Sequence, residues 1–242
     1  MENEVERLNE IAADSWYAAG ANGASVRYLG EIFARHWHGD SCLELGPAEG
    51  LMTEVIAPRF GDLTLVDGSE RFCADLRGRF PDADVVCTLF EDYEPGRTFD
   101  TIVLGHVLEH VADPDALVRR AAGWVSPGGR LLACVPNQRS VHRQMAVVMG
   151  LLGTEDELNE TDRHHGHRRV YGPEAFRAVF AQNGWNVDIF GGYWLKPVSN
   201  AQTEADWTPA MLQAAFAVGE RYPDIAAEIY VVCSPSSTAT AS

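Results

Sequence analysis

Short, mainly apolar runs recur through the first half of the chain, each followed by a segment whose apolar positions fall three and four residues apart. The runs at 42–45, 63–66, 85–87, 101–104 and 131–135 read as strands. Between them, Leu51, Met52, Val55 and Ile56 share one helical face, and Phe72, Cys73, Leu76 and Phe80 share another behind an N-cap at Ser69. A third helix opens at Asp113-Pro114, a capping residue followed by proline in the first turn. Its face is Leu117, Val118, Ala121 and Val125, and Pro127-Gly128-Gly129 is read as its end. Strands apolar on both faces, alternating with helices, imply a parallel sheet covered on both sides and joined by right-handed crossovers.

After Asn137 the rhythm changes. Residues 138–171 are rich in His, Arg and Asp and show no clean period, which predicts a lid or substrate loop with local helix. Order returns with a helix at 173–183, a strand at 185–190, a helix behind Thr208-Pro209 and a strand at 228–233, for seven strands in all. The expectation is one α/β domain over 1–235, with N-terminal helices in 1–40 and a disordered tail at 236–242.

Composition narrows the partners. With 35 acidic against 19 basic residues the net charge is −16, which repels phosphate backbones and anionic membranes. Residues 163–169 form the single candidate basic patch. The five cysteines are scattered, none has CxxC spacing, and four lie in apolar runs; this predicts a reducing cytoplasm with no disulfide framework or zinc site. The N-terminus is acidic and polar, unlike a signal peptide, and no apolar stretch approaches the roughly 20 residues of a membrane span. No nucleic acid and no membrane are therefore expected as partners, for a monomer or homodimer in the cytoplasm.

The chemistry concentrates at SCLELGPAEG, residues 41–50. A strand carrying Glu44 runs into a turn at Gly46 and then into a helix near Gly50; Asp67 ends the next strand 21 residues after Gly46. This is the layout of a ligand site at the carboxyl ends of parallel strands, where glycine admits the ligand and the acidic residue accepts from both ribose hydroxyls. A pyrophosphate needs small residues at the helix start, but here Pro47-Ala48-Glu49 fills the turn and Glu49 would oppose a phosphate. S-adenosylmethionine (SAM), with a positive sulfonium and a positive ammonium, suits Glu44 and Glu49 better than NAD does. A carboxylate such as Glu44 inside an apolar run is seldom buried without a partner.

Four segments, ELGPAEG, LTLVDGS, FDTIVLGHVLEHVADP and VSPGGRLLACVPN, resemble the consecutive motifs of the seven-stranded, Rossmann-like (class I) SAM-dependent methyltransferases. The resemblance covers 41–137 in motif detail and the tail in strand order. It implies an antiparallel last strand, SAM as cofactor and S-adenosylhomocysteine as product. It also implies that Glu44, Gly46 and Gly50 line the methionine part, Asp67 holds the ribose with Gly68 beside it, Phe90 and Glu91 frame the adenine, and Gly105 and His106 pass close to the sulfonium. The family usually has glycine where this chain has Ala48.

Methyl transfer is an in-line displacement, so the protein must align the acceptor and exclude water. An oxygen acceptor must also lose a proton, a task for a neutral histidine. Histidines cluster as His106 and His110, with Glu109 between them, and as His164, His165 and His167. In one reading His106, His110 or His167 is a general base or substrate contact. In a second both clusters are structural. In a third His106, Glu109, His110 and His167 hold a divalent ion, a set similar to the metal site of the methyltransferases that cap the 3′-terminal ribose of small RNAs, which carry Glu at the His106 position. The favoured reading has no metal. Arg168 and Arg169 either bind an acidic group of the substrate or pair with surface carboxylates, and Tyr193 and Trp194 either form an aromatic wall or pack inward.

The reading that joins these features is a SAM-dependent methyltransferase of small molecules, with O-methylation ahead of N-methylation, in the setting of secondary metabolism. The acceptor would lie between 138–171, the N-terminal helix (Val26, Leu29, Phe33) and the 193–200 loop. The alternatives are a metal-assisted RNA 3′-terminal ribose methyltransferase, an NAD-dependent reductase and a non-catalytic SAM-binding protein.

Overall fold

The apolar runs form strands in the computed structural model, which describes residues 2–15 and 18–236. After α1 (Glu2–Ala13) and α2 (Gly20–Ala34), strands β1 (Ser41–Leu45), β2 (Asp62–Asp67), β3 (Asp84–Cys87), β4 (Phe99–Gly105) and β5 (Val125–Pro136) enclose α3 (Leu51–Ile56), α4 (Glu70–Arg79) and α5 (Pro114–Ala121). Then come α6 (Val141–Val148), α7 (Glu160–His164), α8 (Pro173–Ala181), β6 (Trp185–Tyr193), α9 (Asn200–Asp206), α10 (Pro209–Gly219) and β7 (Glu228–Pro235). The seven strands form one sheet in the order β3-β2-β1-β4-β5-β7-β6. The first five pair in parallel, and β7 runs antiparallel between β5 and β6, as expected of the last strand.

The two-residue period of a strand sends alternate apolar side chains to opposite faces, and here both faces are covered. Leu43, Leu45, Ile102, Leu104, Leu131 and Ala133 join Leu117, Val118, Phe176 and Phe180 in one core, while Cys42, Leu65, Val103, Leu132 and Cys134 join Leu29, Ile32, Phe33 and Phe216 in the other. Leu29 and Phe33 are fully buried there. Their placement at the acceptor is thus corrected: a fully buried Leu or Phe contributes roughly 1.5–3 kcal/mol to the core and is unavailable to a ligand.

The caps act where the sequence puts them. Ser69 Oγ accepts from the Phe72 N–H at 3.4 Å, Asp113 Oδ1 from the Ala116 N–H at 2.9 Å, and Thr208 Oγ1 from the Met211 N–H at 3.2 Å. The expected end of α5 is wrong by several residues. The helix stops at Ala121, and Val125 already pairs with Phe99 in the sheet. A turn closed by the Gly123 N–H on Arg120 O at 2.9 Å makes the exit, and burial of Trp124 and Val125 draws the chain into β5. The Pro127-Gly128-Gly129 stretch lies inside the strand, at an irregularity of register between Phe99 and Thr101.

Segment 138–171 contains α6 and α7, and a bridge between Asn137 and Tyr171 ties its ends together. Its centre is a buried arginine: Arg143 donates to Glu155 O at 2.7 Å, to Asp162 Oδ2 at 3.0 Å and to Glu157 O. A segment organised around a guanidinium has no apolar period to read. Tyr193 and Trp194 are buried, correcting the aromatic-wall reading, and Trp194 packs against Phe216 with ring centroids 5.4 Å apart. Gly219 permits this approach, since a Cβ there would lie 2.2 Å from the Trp194 nitrogen. Ser236 N–H donates to Gly184 O at 2.9 Å; the rest of the expected tail, 237–242, lies outside the described residues. No helix among the described residues is long and apolar enough to cross a membrane.

Candidate active site

The strand order reverses between β1 and β4, and parallel α/β sheets open a crevice at the carboxyl ends of the strands beside such a point. The turn leaving β1 is tightly wound, with left-handed backbone at Gly46 (φ +67°), Ala48 (+47°) and Gly50 (+75°). Gly46 N–H donates to Val66 O at 2.9 Å, and a Cβ on Gly46 would stand 2.9 Å from Val107 Cγ2. An alanine in the left-handed region costs about 1 kcal/mol relative to glycine, which is the residue the family resemblance leads one to expect at Ala48. The conformation aims the Ala48 N–H at Asp67 Oδ2, 3.2 Å away.

Behind this turn lies a cavity of about 400 Å³, lined by Gly46, Asp67, Gly68, Phe90, Glu91 and His106. An adjoining space of about 110 Å³ reaches Glu44, Glu49, Gly105 and His110. Eight of the nine residues expected at the cofactor therefore come together. Gly50 does not line either space; it caps α3 and packs toward Leu76 and Phe80, so its part is conformational. Leu8 and Ile11 of α1 and Phe72 of α4 supply apolar walls that the sequence reading did not assign. The signal was present in the spacing of Val5, Leu8 and Ile11 along an otherwise charged helix.

Two carboxylates set the electrostatics. Asp67 accepts from Ser69 N–H at 2.8 Å and from Ala48 N–H at 3.2 Å, yet burial outweighs these bonds and pushes its carboxyl up to about 6. Glu44, only 2% exposed, accepts from Thr53 Oγ1 at 2.7 Å. Burial pushes it up to about 8, and the nearby Asp67 adds to the rise. Two desolvated acids beside one cavity favour a ligand that brings positive charge.

The histidines divide. His106 has left-handed backbone (φ +60°), and its Nδ1 lies 3.4 Å from Glu109 Oε1 and 4.0 Å from Glu228 Oε2. Burial alone would lower its pKa; Cys134, Glu109 and Glu228 reverse this and hold it well above the usual range. Burial also pushes the Cys134 thiol up to about 11, leaving it neutral near pH 7, so the carboxylates are the charges that act on His106. His110 lines both spaces, and burial pushes it down to about 4, so it is neutral at pH 7. His167 lies outside the lining, with Nδ1 3.3 Å from Asp162 Oδ1 and its ring 4.8 Å edge-on to that of His110. His165 lines both spaces, while His164 is exposed.

The set His106, Glu109, His110 and His167 does not converge on one point. Donor atoms of Glu109, His110 and His167 come within 4.8 Å of one another, whereas His106 groups within the same limit with Cys134 and Glu228. Neither arginine is left for a substrate. Arg168 pairs with Glu4 at 2.9 Å and donates to His110 O at 2.7 Å; Arg169 donates to Leu108 O at 3.0 Å, Ala112 O at 3.1 Å and Val111 O. Arg169 thus pins the loop that carries His106 and His110. Arg169→Ala is expected to destabilise the fold by about 2 kcal/mol, seen as a thermal midpoint lowered by several degrees. An unchanged midpoint would remove Arg169 from that role.

Residues 17–188 match the family model described as a methyltransferase domain. Among curated relatives, the ubiquinone biosynthesis O-methyltransferase of Sinorhizobium medicae is 24% identical over 222 residues, covering 82% of this chain and 88% of that protein. Its counterpart in Rhizobium etli is 26% identical over 223 residues, with the same coverage of 82% and 88%. Among solved structures, the N-methyltransferase NodS from Bradyrhizobium japonicum, in complex with S-adenosyl-l-homocysteine, aligns with a TM-score of 0.62 at 15% identity over 96% of this chain and 97% of that one. A DhpI-SAM-HEP complex aligns with a TM-score of 0.61 at 16% identity over 97% of each chain.

Proposed function

The chain belongs to the methyltransferase-domain family as a SAM-dependent enzyme, and from that membership we propose that it transfers the methyl group to an oxygen of a small-molecule acceptor. The observation that carries this reading is the neutral imidazole of His110, which opens onto the same cavity as the Gly46 turn and the carboxylates of Glu44 and Asp67. The relatives named as O-methyltransferases support the choice of oxygen. The folded unit of 1–235 acts as a single domain, with 138–171 covering the acceptor.

When bound, SAM supplies a methyl group on a sulfonium, whose displacement leaves a neutral thioether. The residues present fit it. Gly46 leaves room where a side chain would collide with Val107, and buried Glu44 and Asp67 meet its ammonium and ribose hydroxyls. Phe90 and Glu91 flank the adenine, and Gly105 keeps the wall thin beside His106. His110 takes the acceptor's proton, for which it needs no prior deprotonation at pH 7. His106 and His167 hold and orient rather than abstract: the first sits beside two carboxylates, and the second backs His110 edge-on.

The test is calorimetric titration with SAM and with NADH, followed by transfer of labelled methyl from SAM to parallel panels of hydroxylated and amine acceptors. SAM binding without NADH binding, and label in hydroxylated acceptors, is the expected result. Label confined to amines would move the reading to N-methylation, and SAM binding with no transfer at all would move it to a non-catalytic SAM-binding protein.

A further inference from the structure

We propose that His106, Cys134 and Glu228 form a zinc site whose open position faces the cofactor cavity. The inference rests on the methyltransferase reading for its use, since an acceptor oxygen would take the open position, but its test does not depend on turnover.

The three side chains come from three elements that meet at the ligand-bearing edge of the sheet: the exit of β4, the carboxyl end of β5 and the start of β7. Their donor atoms lie within 4.8 Å of one another, with His106 Nε2 3.8 Å from Cys134 Sγ. One nitrogen, one sulfur and one carboxylate oxygen make a three-ligand set of the kind that leaves a fourth position open on catalytic zinc. The first ligand lines the cavity, so that position faces the ligand space.

Two further observations favour a cation here. Glu228 Oε2 is buried and accepts no hydrogen bond among the described residues, with His106 Nδ1 4.0 Å away. Buried carboxylates without donors are costly, and a divalent ion removes that cost. The ammonium of Lys196 acts on Glu228 through space but makes no ion pair with it; it donates to Asn200 Oδ1 and lies 3.9 Å from the centre of the Trp194 ring. The second observation is backbone strain. His106 is a non-glycine residue held at φ +60°, a conformation that keeps its imidazole over Cys134 and persists only where the surroundings enforce it. The neutral thiol of Cys134 and the imidazolium of His106 each become a ligand by giving up one proton to solvent as the metal binds. The scattered spacing of the cysteines hid this set, because its members are far apart in the chain and meet only through strand pairing.

Cobalt(II) is the probe, added to the metal-free full chain without SAM. The expected result is one cobalt per chain with a thiolate-to-cobalt charge-transfer band in the near ultraviolet. That band should disappear in Cys134→Ala and persist in His167→Ala. Should Cys134→Ala fail to fold, Glu228→Gln serves instead, keeping the band while weakening cobalt binding at least about tenfold. No uptake, uptake without a thiolate band, or binding abolished by His167→Ala would overturn the proposal, the last placing the ion on the neighbouring trio of Glu109, His110 and His167.

Discussion

Asp67→Ala should weaken SAM binding at least about 100-fold while leaving the chain folded. The carboxylate ends β2 on the cavity floor with one bond on each oxygen, from Ser69 N–H at 2.8 Å and Ala48 N–H at 3.2 Å. Each oxygen keeps a lone pair for a ribose hydroxyl. Hydrogen bonds to a charged partner are worth roughly 1.5–3 kcal/mol each, so losing two lies at or above the 100-fold mark. The fold loses less, because removal of a carboxylate whose burial pushes it up to about 6 relieves a desolvation cost while orphaning two N–H groups. Asp67→Asn keeps an acceptor without the charge and should fall between. Titration calorimetry reads the affinity and a thermal melt reads the fold; an Asp67→Ala protein that binds SAM within a few-fold of the parent would break the cofactor assignment.

The parts of this site legible in the sequence share a property. Gly46, Asp67 and Gly105 stand at or one residue past the ends of apolar strands, with Phe90 three residues beyond β3, and strand ends on one edge of a parallel sheet must share a crevice whatever lies between them. The helices were equally legible where an apolar face met a cap, as at Ser69 and Thr208. Long-range choices made by polar groups were not. Arg143 organises 138–171 by bonding two carbonyls and Asp162, a pattern with no period. Arg169 could be assigned to substrate or surface from sequence alone, and the fold spends it on carbonyls of the 108–112 loop. Tyr193 and Trp194 follow a Gly-Gly pair that looked like a turn, but β6 continues through both glycines by pairing with β7 and carries the rings inward. His106 was read with Glu109 and His110 because they are neighbours in the chain, whereas β5 and β7 bring it Cys134 and Glu228.

Glu44 leads to the second large effect, a proton released when SAM binds. In the free protein burial pushes this carboxyl up to about 8, so at pH 7 it is mostly protonated. The SAM ammonium favours the ionised form, and binding should expel close to one proton per SAM at pH 7. Affinity should then rise about tenfold per pH unit between pH 6 and pH 8. The same shift works against the empty fold. A carboxyl whose folded pKa is raised above its usual 4.5 costs nothing below that value, and its cost grows as pH rises toward 8. Glu44→Gln should therefore stabilise the free protein by about 2–3 kcal/mol at pH 7–8 and by almost nothing at pH 4, while weakening SAM binding some 10- to 100-fold. Calorimetry in two buffers of different ionisation enthalpy counts the proton directly. A heat independent of buffer would mean that Glu44 is already ionised in the free protein, and the stability gain of the glutamine variant would then have to vanish with it.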